Sequence, residues 1–469
     1  MEARQNRILL FTAGICMGVI LAAIVGFQPF WGLMDDPTIF NFLQKARLNG
    51  FWQEWFRFVQ YDLFVSGRLR PFFPVMMQVL YGPFSESTAV YFANGIFVFS
   101  IFYALAVVLR KHFFAEEANN KSLSILFFVL CFIYPWAHYF FMAPALQEKL
   151  VLLALILFLA LFLKLKNTSN LIVYTIAVAA LLIVGIATKE QFAIFFPLFL
   201  FLQISKDAKD KRFYRSFLLL FLEVLAVFVV WKIGKIGGYK NRYGWDSAIL
   251  TFRQSKSLYL FFTFILLHIT VLFVYLRPRN LQQFLQKIYC FAPSVCLLAF
   301  LVIMIPWGMG GYLNAVTTPL VALGIVQIFT LLKRKLPFTV AISILAVGIT
   351  LYQSVVAFSN YGDLRSLLFS EELKQYSPKK MPIYMPCEEG AGAVAQYAEK
   401  FAGISLHVKA VLFAQDFEKL RKQNTLWIVS SLRCYPDYFS FLEAIKNGQA
   451  EVLREPINKY GFYLLMLSP

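Results

Sequence analysis

The stretch KLVLLALILFLALFLKLKNTSNLIVYTIAVAALLIVGIATKEQFAIFFPLFLFLQI, Lys149 to Ile204, decides the fold class. It holds three apolar runs, near 149–165, 171–188 and 190–204. Its only charged side chains are Lys149, Lys164, Lys166, Lys189 and Glu190. A helix needs about 20 mostly apolar residues to cross a hydrocarbon core. The third run is short, so its first turn is expected to begin before Lys189. Eight further runs lie outward of this stretch, near 8–28, 88–109, 122–141, 216–233, 258–276, 288–306, 312–332 and 337–358. The expectation is an α-helical polytopic membrane protein with eleven spans. Composition agrees: 59% of the 469 residues are hydrophobic, 15% are charged, and Phe occurs 52 times. A soluble domain is nearer a quarter charged. The first run is long and no small-x-small cleavage site follows it, so it reads as a retained span.

The net charge of +18 would suggest nucleic acid in a soluble chain. From Glu371 onward, however, 12 Lys/Arg face 11 Asp/Glu, so the excess surrounds the apolar runs. Basic loops there reflect topology and anionic lipid. Membrane lipid is an expected partner and nucleic acid is not. With the N-terminus in the cytoplasm, the inner segments carry 18 Lys/Arg and the outer loops before residue 359 carry 13. Eleven spans then put the C-terminal segment outside. No repeat of fixed period is visible, which weighs against a transporter built from inverted repeats.

Two outer loops are long, residues 29–87 and 234–257, and long loops commonly carry function. In the first, Asp36-Pro37 reads as a helix cap and a first-turn proline. Ile39, Phe42, Leu43 and Ala46 share one face of that helix, and Gly50 stops it. A second helix runs from Phe51 to Phe64. Trp52, Trp55, Phe56, Val59 and Leu63 form its apolar stripe, with Gln53, Glu54, Arg57 and Gln60 opposite. Such a helix suits the headgroup level of a bilayer; packing of the stripe on the bundle is the alternative. Asp36 has a capping role. Asp35 has none, and a carboxylate there could accept a proton from a hydroxyl or hold a divalent ion. Arg68 and Arg70 point to one side of an extended chain. Arg suits phosphate, whether on a lipid-linked substrate or on an ordinary headgroup.

An acidic pair, a helix ending in KARLNG (Lys45 to Gly50), and then SGRLRPFFP (Ser66 to Pro74) resemble the GT-C class of bacterial glycosyltransferases. These are polyprenyl-phosphate-sugar-dependent enzymes. Glu148 at the start of the fourth span, and ATKEQ (Ala187 to Gln191) between the fifth and sixth, sit where that class places polar residues. The resemblance covers roughly residues 1–360. It implies a GT-C-like transmembrane domain, 1–360, that moves a sugar from polyprenyl phosphate to a glycan, lipid or protein acceptor. The transfer would be inverting, at the outer face of a bacterial inner membrane. Asp35 would be the base, with Asp36 beside it. Arg68, Arg70, Lys189 and Arg242 would bind the donor phosphate, with Glu148 and Glu190 as further site candidates. No cofactor follows beyond the divalent ion already named. The class often has a basic residue beside a Tyr at a late outer span start. Here Trp307-Gly308-Met309-Gly310-Gly311-Tyr312 lacks one. A polysaccharide polymerase or ligase, or a non-catalytic transport or assembly protein, remains the alternative.

For the other buried charges, mutual pairing competes with a site role: Lys189 with Glu190, Glu148 with Lys149, and Glu223 with Arg215 or Arg212. His138 reads as structural, and His112, His268 and His407 form no cluster. From Glu371 the period changes. Strands are predicted at 382–385, 406–413, 425–430, 451–455 and 462–466, with helices at 391–401, 416–422 and 438–446. That is a small, mainly parallel α/β domain, 371–469, outside the membrane. Its two cysteines, Cys387 and Cys434, each follow a strand and could form a disulfide if the first and third strands are neighbours.

Overall fold

The structure, a computed structural model, describes residues 2–30, 36–64, 68–84, 86–114, 120–134, 136–165, 168, 170–210, 213–236, 256–277, 280–304, 311–331, 335–376, 382–386, 388–411, 419–420, 423–430, 443, 446–456 and 462–467. Helices lie along each apolar run: α1 (Glu2–Phe27), α5 (Ser87–Phe113), α6 (Asn120–Ile133), α8 (Glu148–Leu165), α9 (Leu171–Thr188), α10 (Phe196–Asp210), α11 (Tyr214–Ile236), α12 (Lys256–Leu276), α14 (Ala292–Met304), α15 (Thr318–Thr330) and α16 (Lys335–Leu368). Among the described residues six helical segments are long and apolar enough to cross a membrane: Ala3–Phe27, Ser87–Phe113, Leu171–Thr188, Tyr259–Leu276, Leu281–Val302 and Leu336–Leu368. Phe11, Ile172, Val302 and Ile344 along them are largely exposed. An apolar exterior of that extent belongs in hydrocarbon. The apolar runs near 190 and 288 begin as 3-10 turns, Glu190–Phe195 and Ile288–Phe291, the second following the short α13 (Leu281–Lys287). One aromatic-rich core joins the helices. Where α1 meets α16, a Cβ on Gly362 would lie 2.5 Å from the Phe27 carbonyl oxygen, so only glycine permits the approach.

The long segment between α1 and α5 forms the two helices its periodicity predicts, and a third. α2 (Asp36–Asn49) buries Ile39, Phe42, Leu43 and Ala46. Gly50 ends it at φ +90°, a conformation that costs a side-chain residue but not glycine. α3 (Phe51–Phe64) follows at the expected boundaries, then α4 (Phe72–Tyr81). On α3 the inward face is Phe51, Glu54, Phe58 and Asp62. Trp52 and Phe56 are exposed, and Val59 and Leu63 half-buried. Trp55, also half-buried, donates to the Pro71 carbonyl at 2.8 Å, so the stripe is part exposed and part packed, and Gln53, Arg57 and Gln60 are exposed as well. The polar residue Glu54, expected outside, is buried, held by Asn49 Nδ2 at 2.7 Å and Arg57 Nη1 at 2.6 Å.

The C-terminal segment follows α16 through α17 (Glu371–Tyr376). Its strands are β1 (Ile383–Met385), β2 (Val408–Ala410), β3 (Thr425–Ser430), β4 (Ala450–Arg454) and β5 (Phe462–Leu467), in the order β2-β1-β3-β5-β4. β1 pairs in parallel with β2 and β3, while β5 is antiparallel to both β3 and β4. The sheet is thus mixed rather than mainly parallel: the last two strands form an antiparallel pair that reaches β3. Between β1 and β2, α18 (Glu388–Tyr397) continues into a π-turn, Ala398–Ala402. The helices expected at 416–422 and 438–446 lie mostly outside the described residues. One sheet face shares a hydrophobic core with α2, α4 and the end of α16, through Ile39, Phe40, Met77, Leu364, Ile383, Tyr397 and Leu464 among others.

Candidate active site

Four segments converge where α8 begins. After α3 the chain turns back, the Arg68 N–H donating to the Asp62 carbonyl oxygen at 3.0 Å. This brings Arg70 onto the carboxylate of Asp62. Arg70 Nε donates to Asp62 Oδ2 at 2.6 Å, Nη2 to Oδ1, and Nη1 to Gln147 Oε1. Both partners are buried, so the pair is a bidentate fork withdrawn from water.

Residue 148 brings in the next pair. Lys189, the first residue past α9, donates to Glu148 Oε1 from a buried position. Glu190 turns instead toward Arg68, whose Nε lies 3.7 Å from Glu190 Oε1, with the two side chains 26% and 25% exposed. This third pair is the loose one. Lys189 and Glu190 thus do not satisfy each other. Residues adjacent across a helix end point to different neighbours.

Glu148 and Lys149 separate in the same way. Fully buried Lys149 donates to Asn94 Oδ1 at 2.5 Å, the Pro144 carbonyl at 2.7 Å, the Ala143 carbonyl at 3.0 Å and Tyr81 Oη at 3.4 Å. Asn94 Nδ2 in turn donates to the carbonyls of Phe140 and Phe141 at 2.9 and 3.0 Å. These bonds tie α4, α5 and the short α7 (His138–Met142) to the first turn of α8. That turn then presents Gln147 and Glu148 to the two cations.

Arg68, Arg70, Lys189, Glu148 and Glu190 therefore come together, as the sequence reading groups them. Asp35, Arg242, Cys387 and Cys434 lie outside the described residues, as does Trp307–Gly310. For Asp36 the backbone alone is described: it begins α2. Arg47, within KARLNG, donates to the carbonyls of Gly82 and Phe84 at 3.0 and 3.1 Å and so braces α2 against the end of α4. Asp62, Gln147 and the Lys149 cage were not anticipated. One signal for Asp62 exists: with Glu54 and Phe58 it falls at every fourth residue, on one face of α3.

The remaining polar residues lie elsewhere. Arg215 donates to the Thr168 carbonyl and stacks over Tyr174 at 5.3 Å, and Arg212, the other expected partner of Glu223, lies outside the described residues. Glu223 is buried with one carboxyl oxygen unpartnered among the described residues. His138 lines a crevice with Ile20, Thr350 and Gln353. His268 is satisfied by Ser294 and Gln327 at 2.8 and 3.0 Å. Among the described residues no group of three His, Cys, Asp or Glu side chains could hold a metal ion. Compared with known proteins, the chain matches no family model and no curated protein.

Proposed function

We propose that this protein is a membrane glycosyltransferase of GT-C-like architecture, with eleven spans and the first outer loop and C-terminal unit on the outer face of a bacterial inner membrane. The observation that carries this reading is the convergence of Arg68, Arg70 and Lys189 with Glu148 and Glu190, at the end of the bundle where the first outer loop packs. A sugar carried on polyprenyl phosphate leaves the lipid phosphate behind. Negative charge grows on that phosphate as the glycosidic bond breaks. Fixed cations in a water-poor site stabilise it strongly. Asp35 takes the proton of the acceptor hydroxyl, which attacks from the opposite face and inverts the sugar.

The geometry sorts the cations. Arg70 is committed to Asp62 and Gln147, and Lys189 to Glu148. Arg68 has the most exposed side chain of the three, 26% against 11% for Arg70 and 8% for Lys189, and is the one a phosphate can reach from solvent. Arg70 and Lys189 then shape the site and contribute their field. The test is a transfer assay in membranes with a panel of polyprenyl-phosphate sugars, comparing wild type with Asp35→Asn. Transfer by wild type and its loss in the variant, with insertion and folding unchanged, support the reading. Equal transfer by both removes Asp35 as the base.

A further inference from the structure

Two consecutive segments long and apolar enough to cross a membrane are Tyr259–Leu276 and Leu281–Val302. The end of one and the start of the next therefore lie at one membrane–water boundary. This boundary is at the end of the bundle remote from the converged charges. α10 leaves that convergence after Lys189 and runs to Asp210. α12 begins on the side of the convergence, where Phe261 stacks on Trp136 at 5.6 Å, two residues ahead of α7. α15 begins after Thr317, which is bonded to Tyr134. The far ends of these helices come together: Ser205 of α10 donates to the Gln286 carbonyl of α13, and Leu331, just past α15, packs by the last turns of α12.

Two open crevices lie at this end. The first, about 500 Å³, is walled by Val271, Val274 and Leu331, with Tyr275 and Arg277. The second, about 260 Å³, is walled by Leu276, Phe284 and Phe291, with Gln283, Gln286 and Lys287. Its floor is a trio of rings: Phe284 lies 6.4 Å from Phe273 and 5.8 Å from Phe291, and Phe273 lies 5.1 Å from Phe291. Among the described residues neither lining contains an Asp or Glu. Arg277 is exposed, and its Nε donates to the Val274 carbonyl at 3.0 Å, which holds the guanidinium against the first wall. Its remaining donors meet no acceptor among the described residues. Its backbone stands at φ +32°, where glycine is unstrained and arginine is not. Lys287 is exposed and unpaired among the described residues, although it belongs to an apolar segment. A cation facing hydrocarbon is costly unless it reaches water or an anion. Exposed Tyr275 suits the headgroup level.

We propose that this end of α12 and α13 is a binding site for an anionic glycerophospholipid, with its acyl chains along the two apolar walls and its headgroup phosphate on Arg277 and Lys287. Basic pockets between spans recognise anionic headgroups in this way. A zwitterionic headgroup brings a cation of its own toward the two already there. A soluble anion would use the cations and leave the walls unused. The inference rests on membrane embedding and not on the transferase reading; under the orientation proposed above, the lipid belongs to the cytoplasmic leaflet.

The experiment purifies the full-length protein with an equimolar mixture of phosphatidylglycerol and phosphatidylcholine and counts the retained lipid by native mass spectrometry. Wild type should retain phosphatidylglycerol in preference. A basic residue near a lipid surface strengthens binding of anionic lipid about fivefold. Arg277→Gly and Lys287→Gln should therefore each weaken the preference by about that factor, and the double variant should abolish it. Glycine relieves the strained φ, so Arg277→Gly should unfold no earlier than wild type in a thermal scan. If it does unfold early, Lys287→Gln, at an exposed position, decides alone. The control is Lys111→Gln, near the end of α5, where Phe113 packs 5.5 Å from Tyr289. It removes the same charge at the same end, outside both crevices, and should change nothing. A wild type without preference overturns the site, as does a double variant that keeps it. An equal loss in Lys111→Gln assigns the effect to the charge of the whole face and overturns the site as well.

Discussion

The contrast between Arg70 and Arg68 can be worked out in advance. The Arg70–Asp62 pair is buried, its side chains 11% and 2% exposed, and Gln147 completes the guanidinium's bonding. Arg70→Ala strands the Asp62 carboxylate in a site that water does not reach. Breaking one side of a buried pair costs about 3–5 kcal/mol. Arg68→Ala disrupts a 3.7 Å pair that is a quarter exposed on both sides. Such a pair contributes about 0–1 kcal/mol. The two variants should therefore differ in folding stability by about 2 kcal/mol or more, a factor of roughly thirty or more, with Arg70→Ala the weaker. Ligand binding should run the other way. A charged hydrogen bond to phosphate contributes about 1.5–3 kcal/mol, so Arg68→Ala should weaken polyprenyl-phosphate binding by about ten- to a hundredfold.

Thermal unfolding in detergent measures the first quantity, and titration with polyprenyl phosphate the second. A control separates charge from bulk: Asp62→Leu with Arg70→Met removes the whole pair and should recover most of the lost stability, because neither charge is left stranded. Two results would refute the reasoning. One is equal destabilisation by Arg68→Ala and Arg70→Ala. The other is a double variant as unstable as Arg70→Ala alone.

Two further outcomes are expected. Glu190→Gln removes one side of a 3.7 Å contact that is a quarter exposed, so thermal unfolding in detergent should show a loss of no more than about 1 kcal/mol; a loss of several kcal/mol would contradict this. The sheet order meets the condition set for a Cys387–Cys434 disulfide, since β1 and β3 are parallel neighbours; two more thiols should react in denaturant after reduction than before, and full labelling without reductant would exclude the bond.

What the sequence could and could not tell follows from where each signal sits. Helix and strand positions rest on local period. β5 alternates toward two packed faces, and α2 repeats its apolar residues every three to four, so both were legible. α3 was legible as a helix, but its buried line was not: Glu54 and Asp62 face in because Asn49, Arg57 and Arg70 satisfy them, while Trp52 and Phe56 face out beside Gln53 and Gln60. Sheet order was not legible, because antiparallel closure of β5 on β3 spans more than thirty residues of chain. The charge partners failed for a related reason. Successive residues on a helix point about 100° apart, so Glu148 and Lys149, or Lys189 and Glu190, meet different walls of the bundle. Their true partners lie 41 residues away for Lys189 and 55 for Lys149. The hydrogen bonds between Asn41 and Gln396 cross 355 residues. A motif reading can therefore gather the charged residues at one end of the molecule. Which of them is buried in the frame of the site, and which faces solvent where a ligand can arrive, depends on packing and on partners distant in the chain. On that ground Arg68, not its more deeply buried neighbour Arg70, is the residue whose loss should be felt by the substrate.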